Sequence, residues 1–165
     1  MTDNSQDFAR AYMQGTQLLH QGKAEKAIRP LEKAHALDPA HVDAAINLSG
    51  AYVLRKQFKK AVILLEPFSQ SDPDHIMIWT NLGAAYLGNP VLANDDEQLK
   101  AIHAFKMALE INPIAPNAAY NIGLIYYRRN DPINAATYFQ KAVQADPHDR
   151  DARALLERMR QGLED

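Results

Sequence analysis

Histidine can transfer protons near neutral pH and bind transition metals, and this sequence contains six histidines. None lies four residues from another, so no H-x-x-x-H pair places two imidazoles on one helix face for a shared metal ion. The sequence also has no cysteine, no G-x-S-x-G motif and no glycine-rich phosphate loop. We therefore predict a protein that is not an enzyme, with no catalytic residue, no metal site and no cofactor.

The acidic run Asp95-Asp96-Glu97 is a second candidate for chemistry, because carboxylates bind hard cations. It lacks the alternating ligands and the turn glycine of a calcium loop. Acidic side chains at the start of a helix also complement its dipole. We predict that this run begins a helix and helps to cap it.

The charges exclude other classes of function. The chain has 18 basic and 20 acidic residues, a net charge of −2 and no basic stripe, which disfavours nucleic-acid binding. The longest aliphatic run, residues 61–65, is far shorter than the roughly 20 residues that span a bilayer. The first residues have no signal-peptide pattern. We expect a cytoplasmic protein without membrane insertion.

The sequence repeats itself. Four of its Asp-Pro or Asn-Pro dipeptides have prolines 34, 40 and 34 residues apart: Pro39, Pro73, Pro113 and Pro147. Aligned on them, the third copy reads Trp79-Thr80-Asn81-Leu82-Gly83-Ala84-Ala85-Tyr86, followed by Ala101, Phe105 and Ala108. The fourth reads Ala119-Tyr120-Asn121-Ile122-Gly123-Leu124-Ile125-Tyr126, followed by Ala135, Phe139 and Ala142.

This pattern resembles the tetratricopeptide repeat (TPR) family, over nearly the whole chain. The resemblance implies an all-α fold, a right-handed α-solenoid of four helix-turn-helix repeats with a C-terminal capping helix. We expect a single domain over 1–165, with repeats at about 8–41, 42–75, 76–115 and 116–149 and the cap at about 149–162. The predicted helices span about 5–20, 24–36, 41–54, 58–70, 75–87, 95–110, 115–128, 132–144 and 149–162.

Small residues stand where the two helices of a repeat must approach each other. They are Gly15, Ser49, Gly83 and Gly123 on the first helices, with Ala27, Ala61, Ala101 and Ala135 expected to face them from the second. Large residues fill the adjoining space, which predicts dense packing. Pro30 and Pro67 fall inside second helices, where we expect slight bends.

The third repeat carries six extra residues, which lengthen the turn over 88–94. Val91 and Leu92 are apolar in this otherwise polar connection. One interpretation is a tolerated surface insertion, or a turn in which both side chains fold back onto the scaffold. The other is a contact with a partner at the rim of the binding surface.

In this family the first helices form a concave binding groove. Asn47, Asn81 and Asn121 recur at one position, and their carboxamides can pair with a peptide backbone. An equally weighted alternative is that these asparagines support helix packing. The predicted groove residues are Tyr12, Thr16, Asp43, Ile46, Asn47, Met77, Thr80, Asn81, Asn117, Tyr120, Asn121, Leu124, Tyr127 and Arg128.

The resemblance implies an adaptor or scaffold that binds a protein or peptide partner in this groove. One subclass of the family clamps chaperone carboxylates with Lys and Arg, but Tyr12, Met77 and Asn81 replace those cations here, which disfavours that role. The alternatives are a small bacterial-type assembly or secretion chaperone, and a self-assembling scaffold with weak homo-oligomerisation.

Overall fold

The chain folds into α-helices. The computed structural model describes residues 3–115 and 117–164, and within these ranges it contains nine helices and no strand. The all-α prediction is therefore confirmed over the described residues. The helices are α1 (Asp3–His20), α2 (Ala24–Leu37), α3 (Val42–Leu54), α4 (Phe58–Ser71), α5 (Ile76–Leu87), α6 (Asp95–Ile111), α7 (Ala118–Arg128), α8 (Pro132–Ala145) and α9 (Arg150–Glu164).

The predicted helix limits hold to within one or two residues, except at the start of α7. The sequence places that start at about residue 115, but α7 begins at Ala118. Asn117 has a φ of 58°, in the left-handed region, which is incompatible with an α-helix. Pro116, inside the predicted span, lies outside the described residues.

The described helices belong to two compact units. Unit 1 is Met1–Pro73 and holds α1 to α4, and unit 2 is Asp74–Asp165 and holds α5 to α9. In unit 1, α2 packs against both α1 and α3, and α3 packs against α4. In unit 2, each helix packs against the next one along the chain. The expectation of a single domain over 1–165 stays a prediction.

The paired helices lie close together where the first helix has a glycine, which carries no side chain. A Cβ atom built on Gly83 would lie 2.6 Å from Cδ1 and Cε1 of Phe105, and one on Gly123 would lie 2.8 Å from the same two carbons of Phe139. Gly15 stands against Leu31 in the same way. The predicted alanines are fully buried, but the nearest neighbour of each glycine is the large residue of the second helix.

The four repeating Asp-Pro or Asn-Pro dipeptides end the second helices. Asp38, Asn112 and Asp146 are the C-caps of α2, α6 and α8. In each case the side-chain oxygen accepts a hydrogen bond from the backbone N–H two residues on, at 3.2, 3.1 and 2.8 Å. The side chain thus closes a turn around a proline that has no N–H to offer.

Pro30 and Pro67 lie inside α2 and α4, which continue past them. The slight bends expected at these two prolines stay a prediction. The capping helix α9 buries Ala152, Leu156 and Met159, while the charged side chains of its opposite face are exposed. An apolar stripe with a charged outer face suits a terminal helix, because only one face meets the core.

Tyr52 joins the two repeats of unit 1. Its hydroxyl donates a hydrogen bond to Oε1 of Glu32 at 2.7 Å, which links α3 to α2. Burial raises the pKa of the Tyr52 phenol well above its usual value, and the hydrogen bond to Glu32 raises it further. The phenol is therefore held in its neutral form.

We expect Gly83→Ala to lower the free energy of unfolding by about 1–3 kcal/mol, because Phe105 must move to admit a methyl group. Urea unfolding followed by circular dichroism measures this. Gly162→Ala is the matched control, since no atom lies within 4 Å of that Cβ position, and it should leave stability unchanged or raise it by up to about 1 kcal/mol. Equal effects of the two substitutions would contradict the close-packing interpretation.

Alkaline pH should weaken the contribution of Tyr52. An unfolded tyrosine ionises near pH 10, whereas the folded phenol keeps its proton to higher pH. Its stabilising effect is therefore present below about pH 10 and is lost as the pH rises further. Tyr52→Phe should be less stable than the wild type by about 1 kcal/mol near neutral pH, and the difference should shrink above about pH 10. A difference that stays constant up to about pH 11 would refute this linkage.

Candidate functional site

The first helices of unit 1 bring together three of the predicted binding residues. Nδ2 of Asn47 on α3 donates hydrogen bonds to Oγ1 of Thr16 at 2.9 Å and to the hydroxyl of Tyr12 at 3.4 Å, both on α1. All three side chains are half-buried. A carboxamide has two N–H donors, and Asn47 uses both to tie the helices together. What it can offer a ligand is its acceptor oxygen.

An aromatic cluster adjoins this hydrogen-bond network. The Tyr12 ring stacks on Phe8, with centroids 5.8 Å apart, and lies 5.3 Å from the ring of His41. His41 is also the N-cap of α3, where its Nδ1 accepts from the backbone N–H of Ala44 at 3.3 Å. Sequence reasoning gave His41 no site role, because histidine is an uncommon N-cap and the sequence pattern does not show ring contacts between helices.

Ile46 corrects the predicted binding set. It is only 7% exposed and forms part of the core, so a ligand cannot reach its side chain. Its neighbour Asp43 is exposed, and Met13, at the position of Asn47 in the first repeat, is 66% exposed. We call Tyr12, Thr16, Asp43 and Asn47 the first-helix surface of unit 1.

Unit 2 carries its own first-helix surface, which we define as the predicted residues of α5, α7 and the turn before α7. The helices α5 and α7 pack around one core cluster that includes Leu87, Phe105 and Ile122. Met77 is 38% exposed, and Asn117 and Arg128 are also exposed. The half-buried members are Thr80, Asn81, Tyr120, Asn121, Leu124 and Tyr127.

The polar side chains of this surface also serve the fold. The hydroxyl of Thr80 donates to the carbonyl of Ile76 at 3.0 Å, and Nδ2 of Asn121 donates to the carbonyl of Asn117 at 2.9 Å. Asn121 therefore helps to close the first turn of α7. For Asn121 the two interpretations are compatible, because a carboxamide that gives one donor to its helix still has a second donor and an acceptor.

The capping helix covers part of α7. Tyr120, Leu124 and Tyr127 pack against a cluster that contains Leu156 and Met159 of α9. The guanidinium carbon of Arg158 lies 5.7 Å from the centre of the Tyr127 ring. The three α7 side chains are thereby fixed in place while a part of each stays open to solvent.

Tyr120 has an aromatic neighbour and two acidic neighbours. Its ring centroid is 5.9 Å from that of Phe139. Burial raises the pKa of the Tyr120 phenol, and the carboxylates of Asp151 and Asp149 raise it further. This tyrosine therefore presents a neutral hydroxyl at physiological pH.

The insertion of the third repeat is an ordered turn. The backbone N–H of Leu92 donates to the carbonyl of Asn89 at 2.9 Å, and that of Val91 donates to the Asn89 side chain at 3.0 Å. Val91 is 72% exposed and Leu92 is 77% exposed. The idea that they fold back onto the scaffold is therefore wrong, while the surface-insertion and partner-contact interpretations stay open.

The acidic run after the insertion caps α6, as predicted. Asn94 and Glu97 form a capping box, with each side chain accepting a hydrogen bond from the other's backbone N–H at 2.9 Å. Asp95 also lies 2.9 Å from a guanidinium nitrogen of Arg129. Across the described ranges, no group of three or more His, Asp or Glu side chains is placed to hold a metal ion. In those same ranges no helix combines the length and hydropathy needed to cross a membrane.

Antiparallel helix pairs that recur along a chain and stack on one another define the helical repeat proteins. Two sequence models of the tetratricopeptide repeat match this chain, one over residues 18–86 and the other over residues 99–150. Together they cover more than half of its 165 residues. The chain belongs to the tetratricopeptide repeat family, which confirms the identification made from the repeat pattern.

Known proteins with similar sequence or structure agree with this assignment. The chain is 27% identical over 126 residues to the general transcriptional corepressor ssn6 of Schizosaccharomyces pombe, an alignment that covers 75% of this chain and 11% of the corepressor. It therefore spans about a tenth of that relative's length.

Two solved structures have a similar fold. A thermophilic TPR protein of Thermus thermophilus superposes with a TM-score of 0.77 at 18% identity, covering 94% of this chain and 82% of that one. MamA of Desulfovibrio magneticus superposes with a TM-score of 0.74 at 25% identity, covering 90% and 79%. Family and fold place the chain in the general class of protein-interaction scaffolds.

Asn47→Ala should lower the free energy of unfolding by about 1 kcal/mol, because it removes the hydrogen bonds that join α3 to α1. A double-mutant cycle with Thr16→Val measures the coupling. Asn121→Ala is the control for the loss of an asparagine side chain. The hydrogen bond of Asn121 to the carbonyl of Asn117 is local to the start of α7 and is exposed. If Asn47 and Thr16 proved uncoupled, the hydrogen bond between them would not contribute to stability.

Proposed function

We propose that this protein is an adaptor or scaffold that binds a segment of a partner protein on its first-helix surfaces. The observation that carries the proposal is the first-helix surface of unit 2, where amide, hydroxyl and aromatic groups stand side by side at the solvent boundary. Tyr, Met and Arg, which are enriched at the centres of protein interfaces, all occur there. The partner is a polypeptide, in extended or helical form.

The composition of this surface favours a polypeptide over a charged ligand. Arg128 is its one charged member, at the C-terminal end of α7. Asn81 and Asn121 place carboxamides on this surface, a group whose donors and acceptor are of the same kind as the N–H and C=O groups of a peptide backbone. Leu124 and Met77 supply apolar contact for side chains. Recognition of this kind depends on the backbone and on a few anchors.

The fixed tyrosines supply the anchors. Tyr120 and Tyr127 pack against a cluster formed by α8 and α9, and Arg158 lies over the Tyr127 ring, so these tyrosines have little rotamer freedom to lose when a partner binds. Rigid aromatic side chains at a solvent boundary are typical of residues that dominate binding energy. We expect micromolar affinity, as is usual for a small transient interface.

A phage-displayed library of random peptides, selected on the immobilised full-length chain, tests the proposal directly. An enriched peptide is synthesised with a fluorophore, and its affinity is measured by fluorescence anisotropy. The double variant Asn81→Ala, Asn121→Ala should bind it at least about tenfold more weakly, a loss of about 1.4 kcal/mol or more. Circular dichroism establishes that the variant keeps its helicity.

The matched control places two substitutions on exposed residues of the second helices, Lys106→Ala and Thr137→Ala. This variant should keep the wild-type affinity. If both double variants bind equally well, the peptide contacts neither asparagine and the proposed surface is wrong. If no peptide is enriched above background, the first-helix surfaces do not recognise short polypeptides.

A further inference from the structure

A small polar cavity lies between the helices α1 and α2 of unit 1. Its volume is about 330 Å³, at the small end of the range of ligand sites. Three basic side chains line it, Arg10 from α1 and Arg29 and Lys33 from α2. The other described lining residues are Asp7, Ala11, Gln14 and Pro30. None of these residues belongs to the first-helix surface of either unit.

Two of the three cations at the cavity have no partner of their own. Nζ of Lys33 lies 3.9 Å from Oδ2 of Asp7, which forms an ion pair between α2 and α1. The guanidinium groups of Arg10 and Arg29 make no hydrogen bond or ion pair within the part of the chain that the structure describes. With three positive charges and one negative charge, the described lining carries a net charge of +2.

The first repeat departs from the others at two of the lining positions. Arg10 lies five residues before Gly15, and its counterparts before the matching small residues of the other repeats are apolar and fully buried: Ala44, Ile78 and Ala118. Gln14 directly precedes Gly15, and its counterparts are also apolar and buried: Leu48, Leu82 and Ile122. The first repeat therefore has polar side chains where the other three have packing residues.

Solubility alone does not account for the sign of these charges. The exposed face of α9 carries both signs, with Arg153, Glu157 and Arg160. On α1 and α2, by contrast, positive charges predominate around a single cavity. Two unpaired guanidinium groups at one cavity repel each other, and an anion bound between them would remove this repulsion. The cavity is therefore suited to an anion.

The net charge of the lining indicates which anion fits best. Guanidinium and ammonium groups only donate hydrogen bonds, and they bind the oxygens of carboxylates and phosphates. A phosphate group on a side chain carries a charge of about −1.5 to −2 near pH 7 and three acceptor oxygens, which matches a lining of +2. A carboxylate carries only one negative charge. Nucleic acid requires cations spread along several phosphates, whereas these cations surround one cavity.

We propose that the cavity between α1 and α2 binds a phosphate group, with Arg10 and Arg29 as its main ligands. Lys33 adds a third positive charge, and the side-chain amide of Gln14 adds a neutral donor. The phosphate belongs either to a phosphorylated side chain of a partner polypeptide or to a free phosphate ion, since both present the same oxygens. This site is separate from the first-helix surfaces, so the failure of one proposal leaves the other standing.

Fluorescence anisotropy with the full-length protein tests the site. The probe is a fluorescein-labelled peptide, Ala-Ala-phosphoserine-Ala-Ala, compared with peptides that carry aspartate or serine at the central position. We expect saturable binding of the phosphopeptide, binding of the aspartate peptide at least about threefold weaker, and binding of the serine peptide at least about tenfold weaker. If the aspartate or serine peptide binds as tightly as the phosphopeptide, the proposal is wrong.

The double variant Arg10→Gln, Arg29→Gln should bind the phosphopeptide at least about tenfold more weakly. Neither arginine side chain is bonded to the described fold, so the variant should keep its helicity by circular dichroism. The matched control is Arg150→Gln, Arg153→Gln on exposed positions of α9, which changes the net charge by the same amount. This control should keep the wild-type affinity.

Wild-type affinity in the Arg10→Gln, Arg29→Gln variant would place the phosphopeptide elsewhere and overturn the proposal. An equal loss in both double variants would also overturn it, because binding would then depend only on the total charge.

Inorganic phosphate, added as a competitor at constant ionic strength, distinguishes the two sources of the phosphate group. Displacement of the phosphopeptide at concentrations close to the peptide's own dissociation constant supports a site for free phosphate. Displacement only at concentrations at least about tenfold higher supports a phosphorylated polypeptide, whose flanking residues add to the affinity. If inorganic phosphate does not displace the phosphopeptide at all, the peptide binds through other groups and the proposal fails.

Discussion

The structure depends on the contact between a glycine of the first helix and a large residue of the second helix in the same repeat. Gly15 against Leu31, Gly83 against Phe105 and Gly123 against Phe139 set the distance between the paired helices. Phe105, Phe139 and Leu31 are fully buried at these contacts. The side chains of the first helices that the core does not bury, such as Asn47 and Asn121, remain at the solvent boundary.

The sequence predicts the fold well because its signals are local. The four repeating Asp-Pro or Asn-Pro dipeptides end their helices by chemistry that involves only neighbouring residues, and the spacing of small and large residues follows from one helix pair. The start of α7 was predicted less well, because the left-handed conformation of Asn117 is not encoded by helix periodicity. The exposure of Val91 and Leu92 also depends on a turn held by Asn89, which a hydropathy pattern does not reveal.

The candidate site is harder to predict for a physical reason. Helical spacing shows which residues share a face, and it places Tyr12, Thr16 and Asn47 together. It does not show that Asn47 uses its amide donors on α1, nor that Ile46 is buried. Both facts depend on contacts between helices distant in sequence.

The caps of the helices have an evolutionary consequence. Asp38, Asn112 and Asp146 close their turns with residues of their own repeat, and Asn94 and Glu97 cap α6 within a few residues. A repeat whose helix ends are capped by its own residues can be duplicated or lengthened without new capping partners elsewhere in the chain. The array can thus lengthen by gene duplication, and its copies can diverge one position at a time, as at Ser49, where the other three repeats have glycine.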